Sequence, residues 1–357
     1  MDLKERAGLI GEVGEEIVTQ NDLTKLLKEK KTPIAYDGFE PSGRMHIGQG
    51  ILRAININKM TEAGCKFRML IADWHAWANN KLGGDLKKIQ TVGKYFIEVW
   101  KACGLDMENV EFLWSNDIVS DRDYWKIVMS VARNNTVNRM LRCSQIMGRS
   151  ESQSLSAAQI LYPCMQAADI FYLKADIAQL GTDQRKVNVL AREVGEKIGF
   201  WKPVVVSHHM LMGLNKPPET KDAVERAMKM KMSKSKPDTA IFMSDSEDDV
   251  NRKIKKAYCP ENQVEDNPIM EYCKYIVFEK FDSMVIERPE KFGGNLEIKS
   301  YEELVSIYKK GDLHPLDLKK TVAVYINKLL EPVREYFRKN ELANHLMKKV
   351  KKMKVTR

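Results

Sequence analysis

The sequence predicts an α/β protein: a doubly wound, Rossmann-like parallel sheet followed by a mostly helical C-terminal domain. Two observations carry this prediction. Short apolar runs that suit buried strands alternate, up to about residue 245, with longer stretches in which apolar residues recur at helical spacing. Beyond that point the strand-like runs nearly disappear. Since strands that alternate with helices are typical of parallel sheets, we predict one domain at 1–245 and a second at 246–357.

Ahead of the sheet, residues 2–31 are predicted to form two charged amphipathic helices, the second capped by Asn21. The strands are predicted at 33–36, 66–73, 110–114, 176–180 and 203–207, and the helices between them at 45–63, 85–103, 121–148, 155–173 and 182–198. Pro163 should start or kink the fourth of these helices, because proline lacks the N–H that a helix interior needs. Thr182 is the predicted cap of the fifth.

The second domain is predicted to begin with a helix at 245–257, whose first turn is acidic and whose end is basic. A turn at Gly293 and Gly294 and a short strand at 296–298 interrupt an otherwise helical region. The segment 347–354 (MKKVKKMK) carries five lysines. Such a run suits a solvated helix end as well as a contact with phosphates, and the sequence favours neither.

Composition narrows the class of protein. The chain has 357 residues, 43% hydrophobic and 30% charged, which is a globular profile. Its formal net charge of +9 suits a polyanionic partner. None of the six cysteines forms a C-x-x-C pair, which argues against a zinc site and for thiols in a reducing compartment. With no apolar run near the ~18 residues of a membrane span and no signal or transit peptide, we expect a cytoplasmic protein without a membrane segment or a protein-bound metal.

The segment 36–50 (YDGFEPSGRMHIGQG) has the form of a nucleotide-binding turn. The strand ahead of it breaks at Gly38 and Gly43, which favour sharp turns, and a predicted helix follows. Such a unit presents backbone N–H groups and a helix N-terminus to phosphates. In the first turn of that helix His46 can hydrogen-bond a phosphate, and Gly48 leaves a flat surface for a base. An ordinary strand–helix turn with a stray histidine would look the same, so this segment alone decides little.

A second segment, 231–235 (KMSKS), lies in a lysine-rich loop at about 213–238 that we predict to be mobile. Alone, a lysine run is usually a solvated surface. Together the two segments match the paired signatures of class I aminoacyl-tRNA synthetases: H-I-G-H, which here ends in Gln49, and K-M-S-K-S, which is intact. Their order, and their separation by roughly 190 residues on an alternating α/β chain, makes the resemblance specific.

Within that class the chain resembles the tyrosyl-tRNA synthetases of the archaeal and eukaryotic type over nearly its whole length. The matching stretches are 35–43 (AYDGFEPSG), 70–76 (LIADWHA), 161–169 (LYPCMQAAD), 181–186 (GTDQRK), 255–259 (KKAYC), 288–294 (RPEKFGG) and 313–319 (LHPLDLK). The resemblance implies a tyrosine–tRNA ligase that uses L-tyrosine, ATP with Mg²⁺, and tRNA(Tyr). It also implies a homodimer, whose interface we place in 117–149.

The predicted amino-acid pocket lies on one helix. Tyr162, Gln166 and Asp169 are spaced i, i+4, i+7 and therefore share one polar face of an otherwise apolar helix. Because helices of doubly wound folds tend to be buried, a ligand pocket explains this face better than solvent does. The resemblance implies that the α-amino group of tyrosine is held by Tyr162, Gln166 and Gln184, and that its phenolic hydroxyl is received by Tyr36 and Asp169. His75 suits a pocket residue and a core histidine equally.

The resemblance also implies which residues meet ATP: Ser42, Gly43, His46, Gly48, Gln49, Gly181, Asp183, Lys231, Met232, Ser233 and Lys234. The predicted catalytic residues are His46, Lys231 and Lys234. A carboxylate that attacks the α-phosphorus needs no protein base, so the enzyme can contribute only positioning and charge stabilisation. Gln49 can still donate a hydrogen bond in place of the second signature histidine, although its partner stays open.

The helical second domain is implied to bind the anticodon. Phe292 and His314 offer rings on which a base can stack, and Asp317 offers a carboxylate to a base edge, as is usual for single-stranded RNA. Arg185 and Lys186 are implied to contact the acceptor stem. On the residues alone, Phe292 suits a core position and His314 a helix start.

The sequence argues against three rival functions. A tryptophanyl-tRNA synthetase also carries both signatures, but it has no use for a carboxylate at the phenol position, so Tyr36 and Asp169 argue against it. A small-molecule nucleotidyltransferase would not need a basic helical domain of about a hundred residues. An RNA-binding protein that kept the fold without catalysis would not need the intact lysine loop.

Overall fold

A computed structural model of the chain describes residues 1–148, 154–220, 226, 230–232, 234 and 236–354. Its centre is a six-stranded sheet with the strand order β1-β6-β5-β2-β3-β4. The strands are β1 (Gly14–Val18), β2 (Ile34–Phe39), β3 (Lys66–Ile71), β4 (Val110–Trp114), β5 (Ile177–Gly181) and β6 (Val204–His208). Strands β2 to β6 pair in parallel, whereas β1 is antiparallel to β6 at one edge.

The helices of the first 245 residues cover this sheet. They are α1 (Leu3–Val13), α2 (Gln20–Glu29), α3 (Ile51–Glu62), α4 (Asp73–Ala78), α5 (Leu86–Ala102), α6 (Ser115–Ile118), α7 (Arg122–Arg133), α8 (Val137–Cys143), α9 (Ala157–Tyr172) and α10 (Arg185–Val194). Short 3₁₀ turns lie at Lys81–Gly84, Ser144–Met147, Thr182–Gln184, Glu196–Ile198 and Pro237–Thr239. The predicted doubly wound α/β class is confirmed, with an antiparallel edge strand added.

The order of the strands places a crevice. The chain runs from β2 outward through β3 to β4, then returns to add β5 on the other side of β2. The connections that follow β2 and β5 therefore leave in opposite directions, and a crevice opens between the carboxyl ends of these two strands, where open α/β sheets bind their ligands.

After residue 245 the chain is mostly helical, as predicted. Its helices are α11 (Glu247–Lys256), α12 (Pro268–Tyr272), α13 (Tyr301–Lys310), α14 (Pro315–Lys339) and α15 (Glu341–Lys351). A π-helical turn (Cys273–Val277) follows α12, and a 3₁₀ turn lies at Glu290–Phe292. The predicted strand at 296–298 is present as β8 (Leu296–Ile298), paired antiparallel with β7 (Met284–Ile286).

The helical region packs directly on the first. The ring of Phe337 on α14 lies 5.8 Å from that of Tyr95 on α5, and Tyr336 Oη donates to Glu98 Oε2 at 2.6 Å. One hydrophobic core runs from the sheet through α5 to α14 and α15. Among the described residues no helix is long and apolar enough to cross a membrane.

The N-terminal prediction was wrong in two respects. Strand β1 separates the two helices predicted over 2–31, and Thr19 rather than Asn21 caps α2, its Oγ1 accepting from the N–H of Asp22 at 3.1 Å. The two glutamates of β1 make this segment look like part of a charged helix in the sequence. It forms because pairing with the distant β6 satisfies its backbone groups.

Helix α3 begins at Ile51, not near residue 45 as predicted. Residues 45–47 instead pair with 241–243, where Ile47 donates to Ile241 O and Met243 donates to Met45 O, each at 2.9 Å. Residues 47–50 then form a turn, in which the N–H groups of Gln49 and Gly50 both donate to His46 O at 2.9 Å. His46 consequently precedes the helix instead of lying in its first turn, which corrects that prediction.

Three smaller differences concern helix ends. The predicted helix at 121–148 is divided into α7, α8 and a 3₁₀ turn, with Thr136 capping α8. Helix α9 continues through Pro163, since burial of the surrounding side chains outweighs the hydrogen bond that proline cannot donate. Thr182 lies in a 3₁₀ turn ahead of α10 and does not cap that helix.

Candidate active site

The crevice between β2 and β5 holds a cavity of about 230 Å³. Its walls come from β2 and the segment after it, from α9, from residues 181–184 and 209–211, and from residues 231–232. Of the predicted site residues, those that line it are Tyr36, Ser42, His46, Gly48, Gln49, Tyr162, Gln166, Asp169, Gly181, Asp183, Gln184, Lys231 and Met232. The fold therefore brings together residues almost 200 positions apart in sequence.

Asp169 on α9 is the centre of one end of the cavity. Its side chain is 1% exposed. Tyr36 Oη donates to Asp169 Oδ2 at 3.4 Å, and Tyr124 Oη donates to Oδ1 at 3.0 Å. His75 Nε2 lies 3.0 Å from Asp169 Oδ2, and the imidazole contacts the Tyr162 ring edge to face. His75 thus lines the pocket, which settles the question the sequence left open.

Burial and the charge of Asp169 together shift the pKa values of its neighbours. Burial, together with the nearby carboxylate, raises the pKa of Tyr36 and that of Tyr124 well above 10, so both phenols remain donors. Burial alone would lower the pKa of His75, but the adjacent charge of Asp169 raises it overall. This end of the cavity is accordingly a carboxylate surrounded by donors, suited to exchange hydrogen bonds with one further hydroxyl.

A second polar group lies further along α9. Tyr162 Oη donates to Glu40 Oε1 at 2.7 Å, while Gln166 Nε2 donates to Gln184 Oε1 at 3.1 Å. Gln184 in turn donates to Ile146 O at 3.1 Å. These side chains present a carboxylate and amide oxygens to the cavity, which suits a cationic amine. Glu40 was missed by the sequence analysis, although it lies inside the quoted segment 36–50.

The first signature segment faces the cavity with unpaired polar atoms. His46 Nδ1 and Gln49 Oε1 are buried and have no hydrogen-bond partner among the described residues. Burial, with the charges of Lys234 and Arg53, lowers the pKa of His46 well below 6.5, so its imidazole is neutral. A Cβ at Gly48 would lie 3.3 Å from His46 Nδ1, so a side chain there would crowd the ring. A neutral imidazole beside bare backbone is suited to a phosphate and a base.

Of the two signature lysines, Lys231 lines the cavity, whereas Lys234, like Gly43, is not among the lining residues. Lys231 Nζ lies 2.5 Å from Asp183 Oδ2. Lys234 Nζ donates to Ser42 Oγ at 3.0 Å and lies 5.0 Å from the centre of the Phe96 ring. Burial, with the charge of Lys81, lowers the pKa of Lys234 to about 7. Ser233 lies outside the described residues.

A buried polar network that sequence reasoning missed lies beside the nucleotide-type turn. Arg53 Nε is 3.3 Å from Asp37 Oδ2, and Arg53 Nη1 contacts His208 Nε2. His208 Nδ1 lies 2.5 Å from Gln179 Nε2. Burial raises the pKa of Asp37 to about 7 and lowers that of His208 well below 6.5. Arg53 lies only three residues after the segment 36–50, but nothing in its own segment relates it to His208, which the sheet order brings beside it.

The residues predicted to contact RNA lie outside this cavity. Arg185 pairs with Glu16 at 2.5 Å, and Lys186 Nζ contacts Gln145 Oε1. His314 caps α14, its Nδ1 accepting from the N–H of Leu316 at 3.2 Å, and its side chain is 55% exposed. Asp317 lies in the first turn of that helix. Phe292 ends a 3₁₀ turn, and its side chain lies outside the described part of the chain.

Comparison with known proteins assigns the chain to a family. The sequence profile of the class I tRNA synthetases for tryptophan and tyrosine (W and Y) matches residues 28–331. The cytoplasmic tyrosine–tRNA ligase 1 of Arabidopsis thaliana is 53% identical over 359 aligned residues, which cover 100% of this chain and 90% of that protein. The chain belongs to the tyrosyl-tRNA synthetases. This confirms the resemblance found in the sequence and makes the chain a class I synthetase, a class that uses ATP.

Solved tyrosyl-tRNA synthetases share the fold. The Leishmania major enzyme in complex with tyrosinol is 44% identical, with a TM-score of 0.90 over 99% of this chain and 61% of that one. The Pyrococcus horikoshii enzyme complexed with L-tyrosine is 39% identical, with a TM-score of 0.91 over 98% of this chain and 100% of that one. The chain thus spans about three-fifths of the Leishmania chain that it matches.

Proposed function

We propose that this tyrosyl-tRNA synthetase activates L-tyrosine with ATP, releasing pyrophosphate, and then transfers tyrosine from the adenylate to the 3′ end of tRNA(Tyr). The observation that carries the proposal is the buried Asp169 carboxylate, which takes hydrogen bonds from Tyr36 and Tyr124 in the wall of the crevice. A hydroxyl of the substrate can donate to Asp169 and accept from Tyr36. Indole offers no acceptor for such an exchange, which favours tyrosine over tryptophan.

The second polar group would fix the other end of the amino acid. In this proposal Tyr162, Gln166 and Gln184 hold the α-amino group. Glu40 adds a carboxylate 2.7 Å from Tyr162 Oη, so that a positive charge is matched inside a low-dielectric site. The substrate carboxylate would then point toward His46 and the signature lysines.

ATP would occupy the part of the cavity between the two signatures. His46 donates to the α-phosphate, Gly48 lies under the base, and Ser42, Gly43 and Gln49 border the phosphates. Gly181 and Asp183 lie near the ribose. A Cβ at Gly181 would come within 2.5 Å of Asp183 Oδ1, so this position accepts no larger residue without displacing the carboxylate.

The chemistry follows from these positions. The ionised carboxylate of tyrosine attacks the α-phosphorus in line and expels pyrophosphate, and no side chain need remove a proton. Charge that builds on the leaving phosphates meets Lys231 and Lys234, and Met232 and Ser233 lie between them on the same loop. Since donors aimed at developing charge lower the barrier most, these lysines and His46 are the proposed catalytic residues.

Mg²⁺ is proposed to enter with the nucleotide. Among the described residues no group of three or more His, Cys, Asp or Glu side chains could hold a metal. Mg²⁺ usually keeps several waters and binds through substrate phosphates. The ion supplies charge neutralisation to the pyrophosphate, and the chain's own part is to hold the phosphates with lysines.

The assay that tests the proposed function is ATP–pyrophosphate exchange with each of the twenty amino acids in turn. Exchange with tyrosine alone is expected. Exchange with tryptophan instead would establish the tryptophanyl alternative, and the absence of exchange with any amino acid would favour an RNA-binding protein that lacks catalysis.

We also propose that the protein is a homodimer. We propose a cytoplasmic location, because the names of two Arabidopsis relatives include the word cytoplasmic. Met129 and Val137, in the segment 117–149, are 58% and 62% exposed. Two large apolar side chains this exposed within one short segment suit an interface. Sedimentation should give twice the chain mass of 41.1 kDa; a single-chain mass at micromolar concentration would contradict this.

The domain from 246 to 357 is proposed to read the anticodon through Phe292, His314 and Asp317, while Arg185 and Lys186 meet the acceptor stem. Asp317→Ala should weaken aminoacylation by about 1–3 kcal/mol, the value of one base-edge contact, and leave adenylate formation unchanged. Asp312→Ala, an exposed acidic residue just ahead of α14, is the matched control. Equal losses in pyrophosphate exchange and aminoacylation for Asp317→Ala would contradict the assignment.

A further inference from the structure

Asp245 is a buried carboxylate just after the lysine loop, and several segments meet on it. Its side chain is 3% exposed. Lys253 Nζ on α11, itself 3% exposed, donates to Asp245 Oδ2 at 2.6 Å, and the N–H of Phe242 donates to the same oxygen at 2.9 Å. Arg44 Nη1, two residues before His46, lies 3.6 Å from Oδ1. Asp245 thus joins the first signature, the end of the lysine loop and the helical domain.

The same residues hold the first signature against segment 241–243, which follows the lysine loop. The extended segments 45–47 and 241–243 pair through the hydrogen bonds described above, with a bridge between His46 and Phe242. The Phe242 ring lies 4.0 Å from the Arg44 guanidinium carbon and 4.8 Å from Lys253 Nζ. Lys253 also donates to Ala240 O at 2.9 Å. The position of His46 therefore depends on a pairing that Asp245 and its two cations fix.

Helix α14 contributes to the same junction. Arg334 Nε donates to Asp245 O at 3.1 Å, and Arg334 Nη2 donates to Asn327 Oδ1 at 2.6 Å. Asn327 Nδ2 in turn donates to Asn251 Oδ1 on α11 at 3.0 Å. This helix begins at Pro315, beside the residues proposed to meet the anticodon. Arg334 therefore connects α14, whose first turn is proposed to meet the anticodon, to the residue that holds the first signature.

We propose that Asp245 and Arg334 are positioning residues for adenylate formation. Together they hold His46 against segment 241–243, just after the lysine loop. They thereby make the nucleotide half of the site depend on the helical domain. The inference rests on the proposed function. Of the junction residues, Asp245, Lys253 and Arg334 do not line the cavity that holds Asp169, whereas His46, which they position, does. Loss of the junction should consequently affect the ATP step and leave tyrosine binding intact, whereas a merely structural role would affect both.

The experiment uses Asp245→Asn, which keeps the shape and removes the charge, and Arg334→Met in the full chain. Arg338→Met is the matched control, since Arg338 lies one turn later on α14, is 65% exposed and pairs with Glu331. Single-turnover adenylate formation is measured at saturating tyrosine over a range of ATP concentrations. Tyrosine affinity is measured separately by calorimetry without ATP, and thermal unfolding identifies any variant that fails to fold.

Asp245→Asn should lower the rate constant of adenylate formation by about tenfold or more, the equivalent of one charge-assisted hydrogen bond. Arg334→Met should lower it by about threefold to tenfold, while tyrosine affinity stays within about twofold in both. If Asp245→Asn unfolds because Lys253 is left unpaired, Arg334→Met still tests the proposal. The proposal is overturned if Arg334→Met behaves like Arg338→Met, or if tyrosine affinity falls in step with the rate. Wild-type protein that gives no exchange with tyrosine would instead refute the proposed function.

Discussion

The two ends of the crevice differ in how their polar groups are satisfied. At the phenol end, formed by Tyr36, Tyr124, Asp169 and His75, both phenols donate to the carboxylate. His75 Nε2 lies 3.0 Å from the same carboxylate, in close contact but without hydrogen-bond geometry. At the phosphate end, formed by His46, Gln49, Lys231 and Lys234, one histidine nitrogen and one amide oxygen have no partner among the described residues. The lysines there reach across from a separate segment to Asp183 and Ser42.

This difference separates selectivity from rate. A prearranged set of hydrogen bonds penalises any substrate that leaves a member unpaired, and it acts when the amino acid binds. Donors that meet the phosphates only as charge develops, as Lys231 and Lys234 can by leaving Asp183 and Ser42, contribute most in the transition state and therefore raise the rate. Variants at the phenol end should change which amino acid is used, and variants at the phosphate end should change how fast it is used.

The largest effect is expected for Asp169→Asn. Sites that hydrogen-bond a substrate hydroxyl prefer tyrosine over phenylalanine by about 10⁴–10⁵, and loss of the carboxylate should remove most of that preference. Asparagine is chosen because alanine would also leave Tyr124 and His75 facing a void. The measurement is pyrophosphate exchange with both amino acids.

A matched pair of variants locates the effect. Tyr36→Phe removes a donor that lines the cavity, whereas Tyr124→Phe removes an equivalent donor to Asp169 from behind it. The first should lower the tyrosine-to-phenylalanine ratio, and the second should mainly lower stability. A ratio that stays unchanged in Asp169→Asn would remove Asp169 from the phenol site and reopen the tryptophanyl function.

At the phosphate end, Lys231→Met and Lys234→Met should each lower the rate of adenylate formation by about 10²–10³, as removal of one charge-stabilising donor does. Tyrosine affinity should hardly change. Lys236→Met, at an exposed position on the same loop, is the control and should be nearly neutral. Calorimetry that found tyrosine affinity lowered as much as the rate would abolish the proposed separation of the two ends.

The sequence predicts those site residues that lie within one helix or one contiguous motif. Tyr162, Gln166 and Asp169 lie on one helix, so their spacing alone places them on one face, and all three line the cavity. The signature lysines could be predicted equally well, because they belong to one contiguous motif. Residues within one periodic element can thus be predicted together.

Residues that meet only through the sheet could not be predicted in this way. Tyr124 lies 45 positions before Asp169 and on another helix, and no pattern in its own segment relates the two. Arg53 meets His208 only because β2 and β6 both flank β5. Strand β1 and the late start of α3 were missed for the same reason: each is fixed by pairing with a distant segment, which outweighs local propensity.

The smallest expected effect concerns pH and distinguishes the two ends without altering the substrate. Because burial and Lys81 lower the pKa of Lys234 to about 7, this lysine is charged below pH 7 and neutral above it in the free enzyme. The value of kcat/KM for ATP, which reports the free enzyme, should therefore fall roughly tenfold between pH 6 and 8. The value for tyrosine at saturating ATP should not follow Lys234. The pKa values of Tyr36 and Tyr124 lie well above 10, so a change at that end reports His75, whose pKa is raised from 6.5. Asp37 also titrates near pH 7, but its carboxylate gains charge as pH rises, and Lys81 is not among the groups that shift the pKa of Asp37.

Lys81→Met removes the cation that depresses the pKa of Lys234 and should move the falling limb to higher pH. A limb that stays in place in Lys81→Met would assign the pH dependence to a group other than Lys234.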